Sequence, residues 1–238
     1  MKFSKIILPL LFSISTAFTQ LSQSPSNIVS YISDPHTEHL KLFWKDDHGK
    51  ILGSIKNLKS FAESKKSRLL FAMNGGMYKA DHSPQGLFIQ NKTTLSPLDT
   101  SSGKGNFYLK PNGVFYLSTD GKAAICKTSS FVNKNVSDAT QSGPILICDG
   151  EINAAFKKGS DNLNVRNGVG ILPGGKVIFA ISKDKVNFYD FAMYFKNLGC
   201  KDALYLDGFV SRAYIPKQGF EQMDGDFGVM IGVIERPL

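Results

Sequence analysis

Four places in the sequence set a polar side chain beside glycine at the border of an apolar run. Leu69 to Met73 ends in Asn74-Gly75-Gly76, and Ala203 to Leu206 ends in Asp207-Gly208. Thr140-Gln141-Ser142-Gly143-Pro144 leads into Ile145 to Cys148, and Asn164-Val165-Arg166-Asn167-Gly168 leads into Val169 to Leu172. Glycine lets a backbone turn sharply or come close to a ligand. Any one of these is an ordinary turn. Together they would bring an amide, a carboxylate, a hydroxyl and a guanidinium to one sheet edge as a polar cleft. After Asn74 the chain spends Met77 to Gln85, including Asp81 and His82, on a loop that would rim such a cleft before the return strand Gly86 to Gln90.

The elements that must hold these groups are mostly short strands. Pro111-Asn112-Gly113, Thr119-Asp120-Gly121, Asp149-Gly150 and Pro173-Gly174-Gly175 separate apolar runs, and Asn-Gly or Asp-Gly between such runs is a strong hairpin signal. Strands are expected at 39–44, 106–110, 114–118, 122–127, 145–148, 168–172 and 176–182, the middle ones as an antiparallel meander. Helical spacing of Leu58, Phe61 and Ala62 predicts a short helix over 55–63. Phe188, Phe191, Ala192, Tyr194, Phe195 and Leu198 predict a second, with Asn187 as its N-cap and Gly199 as its stop. Val177 to Ile181, this helix and Ala203 to Leu206 read as one β-α-β crossover. The expected fold class is α+β: strand-rich mixed sheets with antiparallel hairpins, one crossover and few helices.

At 238 residues the chain can bury one substantial core. Lys2 and Lys5, an apolar run from Ile6 to Phe12 and small residues through Ala17 read as a signal peptide over 1–20, which implies a periplasmic or secreted protein. Residues 21–35, rich in Ser, Gln, Asn and Pro, read as a linker that includes a short strand near Ile28 to Ile32, and 36–238 as a single domain. No stretch approaches the roughly 20 apolar residues of a membrane helix. The net charge of +8 falls by two without Lys2 and Lys5 and favours an anionic ligand. The lysines are scattered and no nucleic-acid motif accompanies them. Cys126, Cys148 and Cys200 suit neither a disulfide framework nor a zinc site. Asp224-x-Asp226 lacks the spacing of a calcium loop, so a divalent cation has no support, and no cofactor motif is present. No Gly-x-Ser-x-Gly elbow marks a serine hydrolase.

The ordered series AMNGGMY, SPQGLFIQNK, NFYLKPNGVFYL, ATQSGPILICDGEIN, RNGVGI and ALYLDGFVSRAYIP resembles the phosphodiester glycosidase family from about residue 40 to the C-terminus. That family includes the lysosomal uncovering enzyme, which removes N-acetylglucosamine from a sugar phosphodiester, and bacterial secreted members labelled exopolysaccharide proteins. The resemblance implies a hydrolase acting on a phosphorylated carbohydrate. It implies catalytic roles for Asp207, Arg166 and Asn74, and substrate binding by Gly75, Gly76, Ser142, Gly143, Asn167, Ser211 and Asp81. A phosphate is a good leaving group that already carries charge, so the acid of an ordinary glycosidase pair is less necessary. The Arg166 fork matches two phosphate oxygens. Asp207 would act as nucleophile, base or stabiliser of the sugar cation. Asn74 would bind a sugar hydroxyl or a phosphate oxygen beside an anion nest of the Gly75 and Gly76 amides. Asp81, Glu151, Asp224 and Asp226 are the carboxylates that could partner Asp207, with His82 as a further acid or base. Bulky Phe209, where the family places a small residue, would narrow the sugar pocket. The alternative is a non-catalytic binder of phosphorylated cell-surface polysaccharide.

Overall fold

A computed structural model describes residues 27–235, so the signal peptide expected over 1–20 lies outside the described residues. Three sheets and two α-helices make up the fold. The first sheet runs β1 (Ile28–Ser33), β12 (Val177–Ser182), β11 (Asn167–Ile171), β13 (Asp202–Tyr205), β9 (Ile145–Cys148), β10 (Glu151–Ile152). The second runs β15 (Phe220–Glu221), β14 (Ala213–Ile215), β3 (Leu69–Asn74), β16 (Met230–Ile234), β2 (His39–Phe43). The third runs β5 (Thr93–Ser96), β4 (Phe88–Gln90), β8 (Val136–Ser142), β6 (Gly113–Ser118), β7 (Ala123–Lys127). This is the expected α+β, strand-rich architecture.

The hairpins fall where turn chemistry placed them: β6 pairs β7, β9 pairs β10 and β11 pairs β12, all antiparallel. The crossover is present as β12, α2 (Phe188–Asn197) and β13. Its two strands run the same way, but β11 lies between them and pairs antiparallel with both, so the unit makes no parallel ladder. The short strand expected near Ile28 to Ile32 is present as β1, which forms a full ladder with β12. One expectation is corrected. The strand at 106–110 is a 3-10 turn, Asn106–Tyr108. Gly105 enters it at φ +88° and Pro111 cannot donate to a ladder, so this short run has no sheet to join.

Phe71 of the second sheet, Phe115 of the third and Phe179 of the first are fully buried. Phe179 touches both others, with ring centroids at 4.9 Å and 6.0 Å, so one aromatic contact joins the three sheets. Helix α1 (Ile55–Ser64), capped by Ser54 Oγ accepting from the Asn57 N–H at 3.2 Å, buries Ile55, Leu58 and Ala62 among Leu69, Ala72 and Tyr214 of the second sheet. Helix α2 is capped by Asn187 Oδ1, which accepts from the Asp190 N–H at 2.8 Å. Its buried residues, Phe191 and Phe195 among them, pack with Leu146, Ile178 and Ala203 of the first sheet.

Candidate functional site

The polar strand ends meet where the chain passes from one sheet to another. From β3 to β4 it crosses through Gly75 and Gly76, from β8 to β9 through Gly143 and Pro144, and from β13 to β14 through Asp207 to Arg212. Three consecutive amides tie these crossings together. Tyr205 N–H donates to Pro144 O at 3.1 Å, Leu206 N–H to Asn167 O at 3.1 Å and Asp207 N–H to Gly75 O at 3.1 Å. The convergence that the apolar runs suggested is therefore real for Asn74, Gly75, Asn167 and Asp207, and Ser211 joins them.

One wall of this junction is a closed amide network. Asn74 Nδ2 donates to Asp207 O at 2.7 Å, and its Oδ1 accepts from Asn167 Nδ2 at 3.0 Å and from the Arg212 N–H at 2.9 Å. Asn167 Nδ2 also reaches Asn74 O at 3.0 Å, and Ser211 Oγ donates to Asn167 Oδ1 at 3.3 Å and Gly208 O at 3.0 Å. Asn74, Asn167 and Ser211 are all buried. The expectation that Asn74 contacts substrate is corrected: its side chain is turned into the protein and fixes the backbone of Asp207. The expected anion nest is corrected as well, because Gly75 N–H is already bound to Val229 O at 2.7 Å. Gly76 is small for packing, since a Cβ there would lie 2.3 Å from Thr140 Oγ1 of β8.

The other wall is charged and incompletely bonded. Arg166 is fully buried, yet its partners are neutral: Nε donates to Val186 O at 2.8 Å and Nη2 to Asn162 O at 2.8 Å and Asn162 Oδ1 at 3.2 Å. Its Cζ lies 3.6 Å from the Phe188 ring centroid, a cation-π contact. No carboxylate pairs with it among the described residues, and burial lowers its pKa. Nη1 makes no hydrogen bond of normal geometry, and neither does the buried Ser142 Oγ. Asn162 and Phe188 also line a small cleft of about 170 Å³ with Asn106, Phe156, Lys157 and Ser160.

Asp207 is half-buried. Burial pushes its carboxyl up to about 6, against the opposing effect of a hydrogen bond from the Phe209 N–H. No cation pairs with it among the described residues. Tyr205 and Tyr78, which no sequence motif singled out, both sense its charge. Each is pushed up to about 12, chiefly by burial. The signal for Tyr205 was its position: a phenol inside an otherwise apolar strand needs a partner for its hydroxyl.

The remaining candidates lie outside this pair of walls. Asp81 is exposed and accepts from Ser83 N–H at 3.0 Å and Ser83 Oγ at 2.6 Å, which holds its pKa down. Asp224 pairs with Arg212 Nε at 2.9 Å, Asp226 with His82 Nε2 at 2.7 Å and Glu151 with Lys196 at 3.5 Å. Asp226 is the nearest of these in effect, because Tyr78 senses both it and Asp207. Phe209 is 93 % exposed and stands at the rim of a cleft of about 540 Å³. Gly143 sits in the cis Gly143–Pro144 turn against Asn112 and Phe107. All three cysteines are free. Cys148, Asp149 and Asp202 bring their ligand atoms within 4.8 Å of one another, at the end of β13 away from Asp207.

The profile of the phosphodiester glycosidase family matches residues 67–233, a span that contains all three crossings and both walls. The chain belongs to the phosphodiester glycosidase family. The uncharacterized protein YigE of Escherichia coli (strain K12) is 35% identical over 229 residues, covering 95% of this chain and 89% of that protein. The catalytic domain of zebrafish N-acetylglucosamine-1-phosphodiester alpha-N-acetylglucosaminidase, auto-inhibited by its pro-peptide, shares the fold at a TM-score of 0.56 and 14% identity, covering 88% of this chain and 89% of that one. A putative exported protein from Burkholderia pseudomallei K96243 shares it at a TM-score of 0.59 and 9% identity, over 87% of this chain and 73% of that one. Family membership and architecture thus agree with the resemblance carried by the motif series.

Proposed function

We propose that the protein is an exported hydrolase that cleaves a sugar from a glycosyl 1-phosphodiester. The observation that carries this reading is the pairing of opposites on one wall: a buried guanidinium with a free N–H and no carboxylate, and a half-buried carboxylate with no cation, both close enough to Tyr205 for the phenol to sense their charge. A buried cation left without a counterion is costly unless a ligand supplies the charge, and the planar fork suits phosphate oxygens. Arg166 binds the phosphate and accepts the charge that leaves with it. Asp207 works on the sugar side, as nucleophile or as the charge that stabilises an oxocarbenium ion. Asn74, Asn167 and Ser211 position Asp207 without touching the substrate. The N-terminal sequence pattern supports export to the periplasm or beyond, and the zebrafish enzyme's name supports an N-acetylglucosamine-type sugar.

The test is turnover of a nucleotide sugar or a synthetic glycosyl phosphodiester by the purified mature chain. Asp207→Asn and Arg166→Ala are each expected to lower kcat/KM by about 10² to 10³-fold or more while the fold persists. Full turnover by either variant removes that residue from the mechanism. A second reading, a non-catalytic binder of phosphorylated cell-surface polysaccharide, is favoured by Phe209. It stands exposed on a cleft of about 540 Å³ lined also by Lys183, Lys185 and Arg212, a surface on which a sugar ring can stack. Calorimetric binding of glycosyl phosphates with no product formed would select that reading.

A further inference from the structure

Tyr205 is 2 % exposed and closes β13 two residues before Asp207. Its ring stands edge-on to Phe188, with centroids 4.8 Å apart and planes at 80°. Arg166 Cζ lies over Phe188 at 3.6 Å and the Phe156 ring stacks on it at 4.8 Å, so these two groups must take opposite faces of that ring. The phenol is therefore held by packing and has little freedom to swing away. Its hydroxyl lies over the backbone of Gly208: a Cβ at that position would fall 1.8 Å from Tyr205 Oη, so only glycine leaves the room. The Arg166 guanidinium lies on the same side, its Cζ 5.5 Å from the Tyr205 ring centroid, and its charge favours acceptance at the phenol oxygen. A phenol oxygen has two acceptor positions and one proton. Between the Gly208 backbone and the guanidinium, no described residue accepts the O–H in a hydrogen bond, so its proton is available to a ligand.

We propose that the Tyr205 hydroxyl is a catalytic donor that grips the ligand's phosphate together with Arg166 Nη1. This rests on the glycosidase reading above. The anomeric carbon–oxygen bond breaks, its electron pair goes to the phosphate oxygen, and the sugar cation is taken by water, which gives its proton to the Asp207 carboxylate, or by Asp207 as an ester that water then hydrolyses with loss of the proton to solvent; the Tyr205 proton stays on its oxygen. The hydrogen bond strengthens as charge collects on the departing phosphate, so it acts in the transition state more than in the ground state. Burial holds the phenol protonated throughout the physiological range, as a donor must be.

The experiment compares wild type with Tyr205→Phe, which keeps the ring packing, on a glycosyl alkyl phosphate and a glycosyl 4-nitrophenyl phosphate. On the alkyl substrate kcat is expected to fall about 100-fold with KM changed by less than about threefold. On the aryl substrate, whose leaving phosphate is less basic, the expected loss is nearer tenfold. An equal loss on both substrates, or turnover within about twofold of wild type, overturns the assignment while leaving the glycosidase reading in place. A wild-type chain inactive on both overturns that reading and this proposal with it. Should Tyr205→Phe fail to fold, 3,5-difluorotyrosine at position 205 keeps ring and hydroxyl. It is expected to introduce an alkaline limb into the kcat profile that wild type lacks, and its absence overturns the proposal.

Discussion

The two walls of the candidate site carry similar amounts of buried polarity and spend it differently. On the Asn74–Asn167–Ser211 wall every group is neutral and each is engaged by backbone or by another member of the network. On the Arg166–Tyr205–Asp207 wall the groups are charged or phenolic, their partners are few, and Nη1 has none of normal geometry. Buried polar groups that satisfy one another build precision; those left incomplete hold free energy that a ligand can release. The first wall is thus the mount and the second the instrument.

That contrast can be broken at either side. The largest loss of stability belongs to the mount. Asn74→Ala strands the Arg212 N–H and Asp207 O in the interior and takes one of the two acceptors of the Asn167 amide, and is expected to cost about 3 kcal/mol. Chemical denaturation would show it as a lower midpoint at unchanged slope, and a midpoint within experimental error of wild type would make the network ornamental. Asp207→Asn should do the reverse. Because the folded carboxyl is pushed up to about 6 while the unfolded value is near 4, the folded state binds more protons between those values. Stability is therefore full below about 4 and is lost as pH rises to about 6. At pH 7 the ionised group costs about 3 kcal/mol, so the Asn variant should melt higher than wild type at pH 7 and alike at pH 4. A parallel pair of pH–stability curves would show that Asp207 is not withdrawn from water. The smallest effect is expected at Asp81, which bonds only within its own turn. Asp81→Asn should leave both the melting midpoint and turnover unchanged, and a loss of turnover would extend the instrument out to the loop.

Much of this organisation was legible in the sequence because it is local. Asn-Gly and Asp-Gly turns placed the hairpins, Asn187 and Gly199 bounded α2, and apolar runs ending beside glycine marked β3 and β13. What stayed hidden was long-range. Asn74 reads as a ligand-facing amide until Arg212, Asn167 and Asp207, which lie more than 90 positions away, are seen to use it up. Gly75 reads as half of an anion nest until Val229 takes its N–H. Tyr205 and Phe188 were read only as members of an apolar strand and a helical stripe, since nothing in a single residue says what stands above it. The stretch 106–110 alternates well enough for a strand, but strand character is settled by a neighbour, and none is there.

The three crossings bear on how divisible this protein is. The Asn74 wall draws on the first and second sheets, and the amides of Tyr205, Leu206 and Asp207 each fasten to a different crossing or strand end. No sheet, and no pair of sheets, is therefore a portable module that could be cut out or grafted elsewhere with the chemistry intact. The span matched by the family, 67–233, keeps the three crossings that meet at the site and leaves out β1 and β2, the edge strands of the first two sheets. Variation in such a fold has its freedom at the borders, while the centre must be inherited whole.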